Sequence, residues 1–120
     1  MEVSTVLVVD DSPTDLHLLS GYLSNNGYTP LQATSGEEAL QKANSEHPDL
    51  ILMDVVMPGM NGFQATRSLT KNPATRDIPV IVVTSKDQET DKIWAMRQGA
   101  REFLTKPVDE TTLIGMIRNL

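Results

Sequence analysis

Five residues able to handle a metal ion and a phosphoryl group stand at the ends of short apolar runs. Asp10 and Asp11 follow Val6-Leu7-Val8-Val9, and Asp54 follows Leu50-Ile51-Leu52-Met53. Thr84 closes the run that begins Val80-Ile81-Val82-Val83, and Lys106 follows Glu102-Phe103-Leu104-Thr105. Two ionised carboxylates ~4 Å apart at an effective dielectric of ~20 repel by roughly 4 kcal/mol, so a cluster of three calls for a cation. Hard oxygen donors without His or Cys suit Mg2+, with Mn2+ as a substitute. A carboxylate can itself attack a phosphoryl group to give an acyl phosphate. Asp54, on the run expected at the centre of the sheet, is the best-placed nucleophile. Lys106 could pair with the added charge and Thr84 could donate its hydroxyl proton to a phosphate oxygen. In-line transfer needs positioning and charge neutralisation more than an acid or base, so no catalytic histidine is required.

Such residues meet only if the elements bearing them share an edge. Runs of four or five apolar residues alternate with longer stretches of helical periodicity about five times, which reads as (βα)5. The first helix begins with Ser12 as N-cap and Pro13 at its first position, with Asp15 favourable to the helix dipole, and stops at Asn26-Gly27. Its core stripe is Leu16, Leu19 and Leu23. Tyr28 to Ala33 is interrupted by Pro30 and belongs at a sheet edge. Ser35-Gly36-Glu37-Glu38 reads as a capping box for a second helix that turns Ala39, Leu40 and Ala43 to the sheet. A third helix starts after Asn61-Gly62, carries Phe63, Ala65, Thr66 and Leu69, and ends near Asn72-Pro73. The fourth is expected over Asp87 to Gln98 with Ile93, Met96 and Ala100 as its inward stripe. A last helix, capped by Asp109, carries Leu113, Ile114, Ile117 and Leu120. Near-continuous Val/Ile/Leu strands indicate a parallel sheet covered on both faces. Right-handed crossovers then make a doubly wound five-stranded α/β sheet of order 2-1-3-4-5 the economical topology. Its crevice opens between Asp10-Asp11 and Asp54.

At 120 residues the chain is expected to be one domain, 1–120, with no effector domain attached. Ten Lys and Arg against 16 Asp and Glu give a net charge of -6, the wrong sign for coating a nucleic-acid backbone. There is no cysteine, which excludes disulfides and thiolate metal sites. No signal-peptide pattern and no membrane-length apolar stretch occurs, so a soluble cytoplasmic protein without membrane insertion is expected.

Taken together, Val8-Val9-Asp10-Asp11-Ser12, Met53-Asp54-Val55-Val56-Met57-Pro58-Gly59-Met60-Asn61-Gly62, Val83-Thr84-Ser85, and Gly99-Ala100 leading to Phe103-Leu104-Thr105-Lys106-Pro107 resemble the response-regulator receiver domains of the CheY-like superfamily over essentially the whole chain. The resemblance implies that Asp54 is the phosphoacceptor and that Asp11 and Asp54 ligate Mg2+ directly. It implies that Asp10 acts mostly through water and that the Val56 backbone carbonyl is a further ligand. Thr84 and Lys106 would hold the phosphate, Lys106-Pro107 would be cis, and Phe103 would turn inward when Thr84 engages phosphate. The donor would be a CheA-like sensor histidine kinase, and the surface of the fourth helix, fifth strand and fifth helix would address a downstream partner. The protein would be a phosphoryl acceptor with at most slow autodephosphorylation, not a turnover enzyme, and a monomer. Gly62 to Arg67 and Thr84 to Arg101 are similar to PilH-type regulators, stand-alone receivers that control type IV pilus twitching motility.

Each residue also has a plainer reading. Asp10 and Asp11 alone would be a solvated pair, Thr84 a capping hydroxyl and Lys106-Pro107 a turn; the register of all four with Asp54 favours the site. His17 and His47 are expected at surface or turn positions, and the methionines mainly fill the core. Trp94 is either partly packed or an exposed contact for the partner. A Mg2+-dependent phosphatase of haloacid-dehalogenase type would need a spaced Asp-x-Asp, which Asp10-Asp11-Ser12 lacks. A flavodoxin-like flavin module would need a first loop rich in Ser, Thr and Gly. A receiver that binds partners without phosphorylation is opposed by every residue of the site.

Overall fold

A computed structural model describes residues 2–120. Five parallel strands, β1 (Thr5–Val9), β2 (Thr29–Ala33), β3 (Leu50–Met53), β4 (Val80–Thr84) and β5 (Glu102–Thr105), form one sheet in the order β2-β1-β3-β4-β5. Between and after them run α1 (Pro13–Asn25), α2 (Gly36–Glu46), α3 (Gly62–Lys71), α4 (Glu89–Arg97) and α5 (Glu110–Arg118).

Side-chain alternation along the strands builds two cores. Val6, Val8, Leu50, Leu52, Ile81 and Val83 pack on one face against Leu16, Leu19 and Leu23 of α1 and Leu113, Ile114 and Ile117 of α5. On the other face Leu7, Val9, Ile51, Met53 and Val80 meet Ala39 and Ala43 of α2 and Ala65 and Leu69 of α3. A smaller cluster beside them joins Val55, Val82, Ala95 and Ala100, with Phe63 and Phe103 packed against it. Because β1, β3 and β4 are buried on both faces, alternation is invisible in their sequence and they read as unbroken apolar runs. Pro30 lies on edge strand β2, as its missing N–H requires.

Helix starts are fixed by side chains: Ser12 Oγ accepts from Asp15 N, Ser35 Oγ from Glu38 N, and Asp109 Oδ2 from Thr112 N. The second half of the expected box at α2 is displaced. Glu38 Oε1 accepts from Thr34 N at 2.7 Å, one residue before the cap. A reciprocal box does form at α3, where Asn61 Oδ1 accepts from Gln64 N and Gln64 Oε1 accepts from Asn61 N.

The fourth helix departs from expectation. It starts at Glu89 and ends at Arg97, shorter than Asp87 to Gln98. Its inward residue is Ala95, while Ile93 and Met96 are 45% and 42% exposed; of the expected stripe only Ala100, in the following turn, is buried. Apolar residues at 93, 94, 95 and 96 span the whole helical circumference, so periodicity did not single out a face. The small side chain of Ala95 allows close approach to the sheet and leaves the larger apolar residues outside. No helix among the described residues is long and apolar enough to cross a membrane.

Candidate functional site

The crevice lies at the carboxyl ends of β1, β3 and β4, where the chain's connections diverge to opposite sides of β1 and β3. Asp10 continues β1 and is buried, Asp11 beside it is exposed, and Asp54, following β3, is buried. One carboxylate oxygen from each lies within 4.8 Å of the others. Thr84, the last residue of β4, is fully buried, and Lys106 Nζ reaches in from beyond β5. The five residues expected at the site are therefore together in space.

Hydrogen bonds divide the three acids. Both oxygens of Asp10 are engaged: Oδ1 accepts from Ser12 N at 3.0 Å and Oδ2 from Lys106 Nζ at 2.6 Å. Asp54 Oδ1 accepts from Val55 N at 2.8 Å, while Oδ2 faces Lys106 Nζ at 3.7 Å, beyond hydrogen-bond length. The donor set fits a hard divalent cation: three carboxylates, one of them open to solvent, and no nitrogen or sulfur ligand. Such an ion would be held by Asp11 and Asp54, the acids with uncommitted oxygens, with Asp10 behind them.

Lys106 carries the compensating charge. Besides Asp10 it donates to Asp15 Oδ2 at 2.9 Å. Sequence reasoning gave Asp15 only a helix-dipole role. Its position three residues past the α1 cap, directly after β1, was the signal that it borders the same crevice. Burial disfavours the Lys106 ammonium, but its hydrogen bonds to Asp10 and Asp15 and the field of Asp54 outweigh this and hold its pKa above the ordinary value. The Lys106-Pro107 peptide is cis, as the resemblance implied.

Burial, followed by repulsion from Asp10, pushes the Asp54 carboxyl up to about 6; Lys106, the Val55 N–H and the Thr84 hydroxyl oppose the shift. An acid whose folded pKa lies above its ordinary 3.8 supports folding fully below that value, and this support is lost as pH rises through about 6. Ionised Asp54 thus destabilises the metal-free protein near neutral pH by up to about 3 kcal/mol relative to its protonated form. Asp54→Asn, which keeps an oxygen for the Val55 N–H, should raise the urea midpoint in EDTA near pH 7. The advantage should vanish below about pH 4. A midpoint equal to wild type throughout would show that the carboxylate is not electrostatically strained.

Two hydrogen bonds hold the loop after Asp54. Met60 N donates to Glu37 Oε1 at 2.9 Å, and Gly62 N donates to the Val55 carbonyl at 3.0 Å. A Cβ on Gly62 would stand 2.0 Å from the Asp54 carbonyl oxygen, so only glycine lets α3 begin this close to the site. Sequence reading used Gly62 merely as a helix-start signal. Gly59, at φ +74, supplies the left-handed turn between Asp54 and α3. Val56, whose carbonyl was expected at the metal, lies in this loop with its side chain exposed.

Phe103 on β5 pairs in register with Val82 and packs half-buried against the cluster containing Val55. Trp94 is 49% exposed, which settles its burial in favour of an accessible side chain. His17 and His47 are both exposed, and neither is part of the acidic cluster at the crevice.

Comparisons with known proteins agree with this architecture. The family model described as "Response regulator receiver domain" matches residues 6–118. Protein PilH of Pseudomonas aeruginosa is 56% identical over 115 residues, covering 96% of this chain and 95% of that protein. Response regulator PleD of Caulobacter vibrioides is 43% identical, but the match covers only 25% of its length. The crystal structure of chemotaxis protein CheY4 of Vibrio cholerae superposes with a TM-score of 0.91 at 30% identity, covering 98% of each chain.

Proposed function

The chain belongs to the response regulator receiver family, and on that premise we propose that it is a phosphorylation-operated switch in which Asp54 accepts a phosphoryl group from a sensor histidine kinase. The observation that carries this reading is that the buried Asp54 shares one strand-end crevice with Asp10 and Asp11 of the β1 end and with the ammonium of Lys106. A carboxylate oxygen of Asp54 attacks phosphorus, the bond from phosphorus to the donor's histidine nitrogen breaks, and the imidazole leaves on the donor. A bound Mg2+, held by Asp11, Asp54 and the Val56 carbonyl, would neutralise charge on the incoming phosphoryl oxygens. That both oxygens of Asp10 are already engaged supports its acting on the ion through water.

The product carries an added charge of ~-1.5 to -2, which competes with Asp10 and Asp15 for the Lys106 ammonium. Thr84 donates its hydroxyl proton to a phosphate oxygen. Motion of Thr84 opens space for Phe103, two β4–β5 register positions away, to turn inward. The change biases α4, β5 and α5, shifting a pre-existing equilibrium at the surface used by the partner. α4 suits this role because Ala95 is its one buried residue, so little apolar contact holds it in place.

We place the switch in a chemosensory pathway for type IV pilus twitching motility, working in the cytoplasm as a monomeric receiver between a CheA-like kinase and a downstream motility protein. The resemblance to PilH-type regulators supports that pathway. The protein is a substrate and timer whose own turnover is limited to slow autodephosphorylation.

Phosphotransfer from a labelled histidine kinase tests the reading. Wild type should take label in a Mg2+-dependent manner, and EDTA should suppress it. Asp54→Asn should reduce labelling by at least about a hundredfold, because the nucleophilic oxygen is lost. Equal labelling of wild type and Asp54→Asn would remove Asp54 from its role.

A further inference from the structure

A groove of about 300 Å³ separates α3 from α4 on a surface that the phosphoryl site does not use. Asn61, Phe63, Gln64, Arg67, Trp94 and Gln98 line it. Two aromatic side chains supply its apolar part, and Trp94 is the only tryptophan of the chain. The polar part is biased toward donors. Asn61 Oδ1 and Gln64 Oε1 are consumed by the reciprocal cap of α3, which leaves the NH2 ends of both carboxamides beside the Arg67 guanidinium. The lining contains one cation and no anion.

The stretch of chain from Arg67 to Arg101 is basic. Although the chain has a net charge of -6, seven of its ten Lys and Arg lie between residues 67 and 101, against four of its sixteen acids. Lys71 follows Arg67 by one helical turn and Arg97 follows Trp94 by three residues, so each is the helix-surface neighbour of a lining residue, and both are exposed. Asp91, the nearest acid on α4, is turned to its helix cap and to Lys86. A basic, donor-rich slot with an aromatic wall on an otherwise acidic protein selects a ligand that joins carboxylates to an apolar group. Trp and Arg are both enriched among the residues that dominate binding energy at protein interfaces.

We propose that this α3–α4 groove docks an acidic peptide segment of a partner protein, with one large apolar side chain of the segment against Phe63 and Trp94 and its carboxylates on Arg67 and the Asn61 and Gln64 amides. Phe63 packs against the cluster that contains Val55, so a groove residue adjoins the same cluster as the residue that follows Asp54.

Panning a phage-displayed random peptide library on the unphosphorylated full chain tests the groove separately from any role of Asp54. Enriched sequences should combine Asp and Glu with one large apolar residue, and the synthetic peptide should change Trp94 fluorescence. Its affinity should fall by about tenfold or more in Arg67→Glu and in Trp94→Ala. Arg118→Glu, the same charge change on α5, should bind as wild type. Both substituted groove residues are surface-accessible, and circular dichroism and urea midpoints verify their folding. Several results would overturn the proposal: no enrichment, enrichment of neutral or basic peptides, undiminished binding by folded Arg67→Glu, or preference for a single-stranded oligonucleotide over the peptide.

Discussion

In metal-free buffer near pH 7, Lys106→Met is expected to lose about 3 kcal/mol of unfolding free energy. The methionine keeps an apolar stem in place of the lysine stem but removes the one cation that, among the described residues, lies within salt-bridge distance of Asp10, Asp15 and Asp54. Asp10 is 1% exposed and cannot recover its partner from solvent, so the cost is that of an uncompensated buried charge. Millimolar Mg2+ should restore part of the loss, because a cation among the same acids relieves the same repulsion. Urea unfolding with EDTA and with Mg2+ measures both quantities. An unchanged midpoint would mean that Lys106 does not hold the acidic cluster together.

Gly62→Ala is the second large effect. Its Cβ would lie 2.0 Å from the Asp54 carbonyl oxygen and 2.8 Å from Val55 Cα, both backbone atoms that no rotamer change can move aside. The start of α3 and the end of β3 must separate, and the Gly62 hydrogen bond to Val55 stretches with them. The expected cost is about 3 kcal/mol, at the upper end for an added methyl in a filled site. Because the displaced backbone carries Asp54, phosphotransfer should slow by about tenfold or more even where the variant remains folded. Gly115→Ala provides the control. A Cβ there meets nothing within 4 Å, and removing a mid-helix glycine should stabilise α5 by about 0.5 to 1 kcal/mol. Chemical denaturation of the two variants side by side separates the close approach from the general effect of replacing glycine.

What the sequence made legible depended on how locally each feature is encoded. β1, β3 and β4 are buried on both faces, so composition alone marks them, and their ends mark Asp10, Asp11, Asp54 and Thr84. Pro30 marks the edge strand because the ladder cannot accept it elsewhere. The face of α4 was not legible: four successive apolar residues give no preferred direction, and the sheet selects the small Ala95 over Ile93 and Met96. Asp15 and Gly62 were missed as parts of the site for another reason. Each has a sufficient local explanation, a first-turn acid and a helix-start glycine, and their second roles arise only from contacts across the crevice with Lys106 and with the Asp54 backbone. The donor bias of the α3–α4 groove was hidden similarly, since it depends on which end of each carboxamide the helix cap consumes.

The central claim is that Asp54 forms the acyl phosphate, and the most direct test is to locate that bond. After phosphotransfer, reduction with borohydride converts an aspartyl phosphate into homoserine, which peptide mass mapping assigns to a residue. Homoserine is expected at position 54 and at none of Asp10, Asp11 or Asp15. Homoserine at one of those acids, or a phosphoryl group that resists reduction and maps to Thr84 or to a histidine, would contradict the claim.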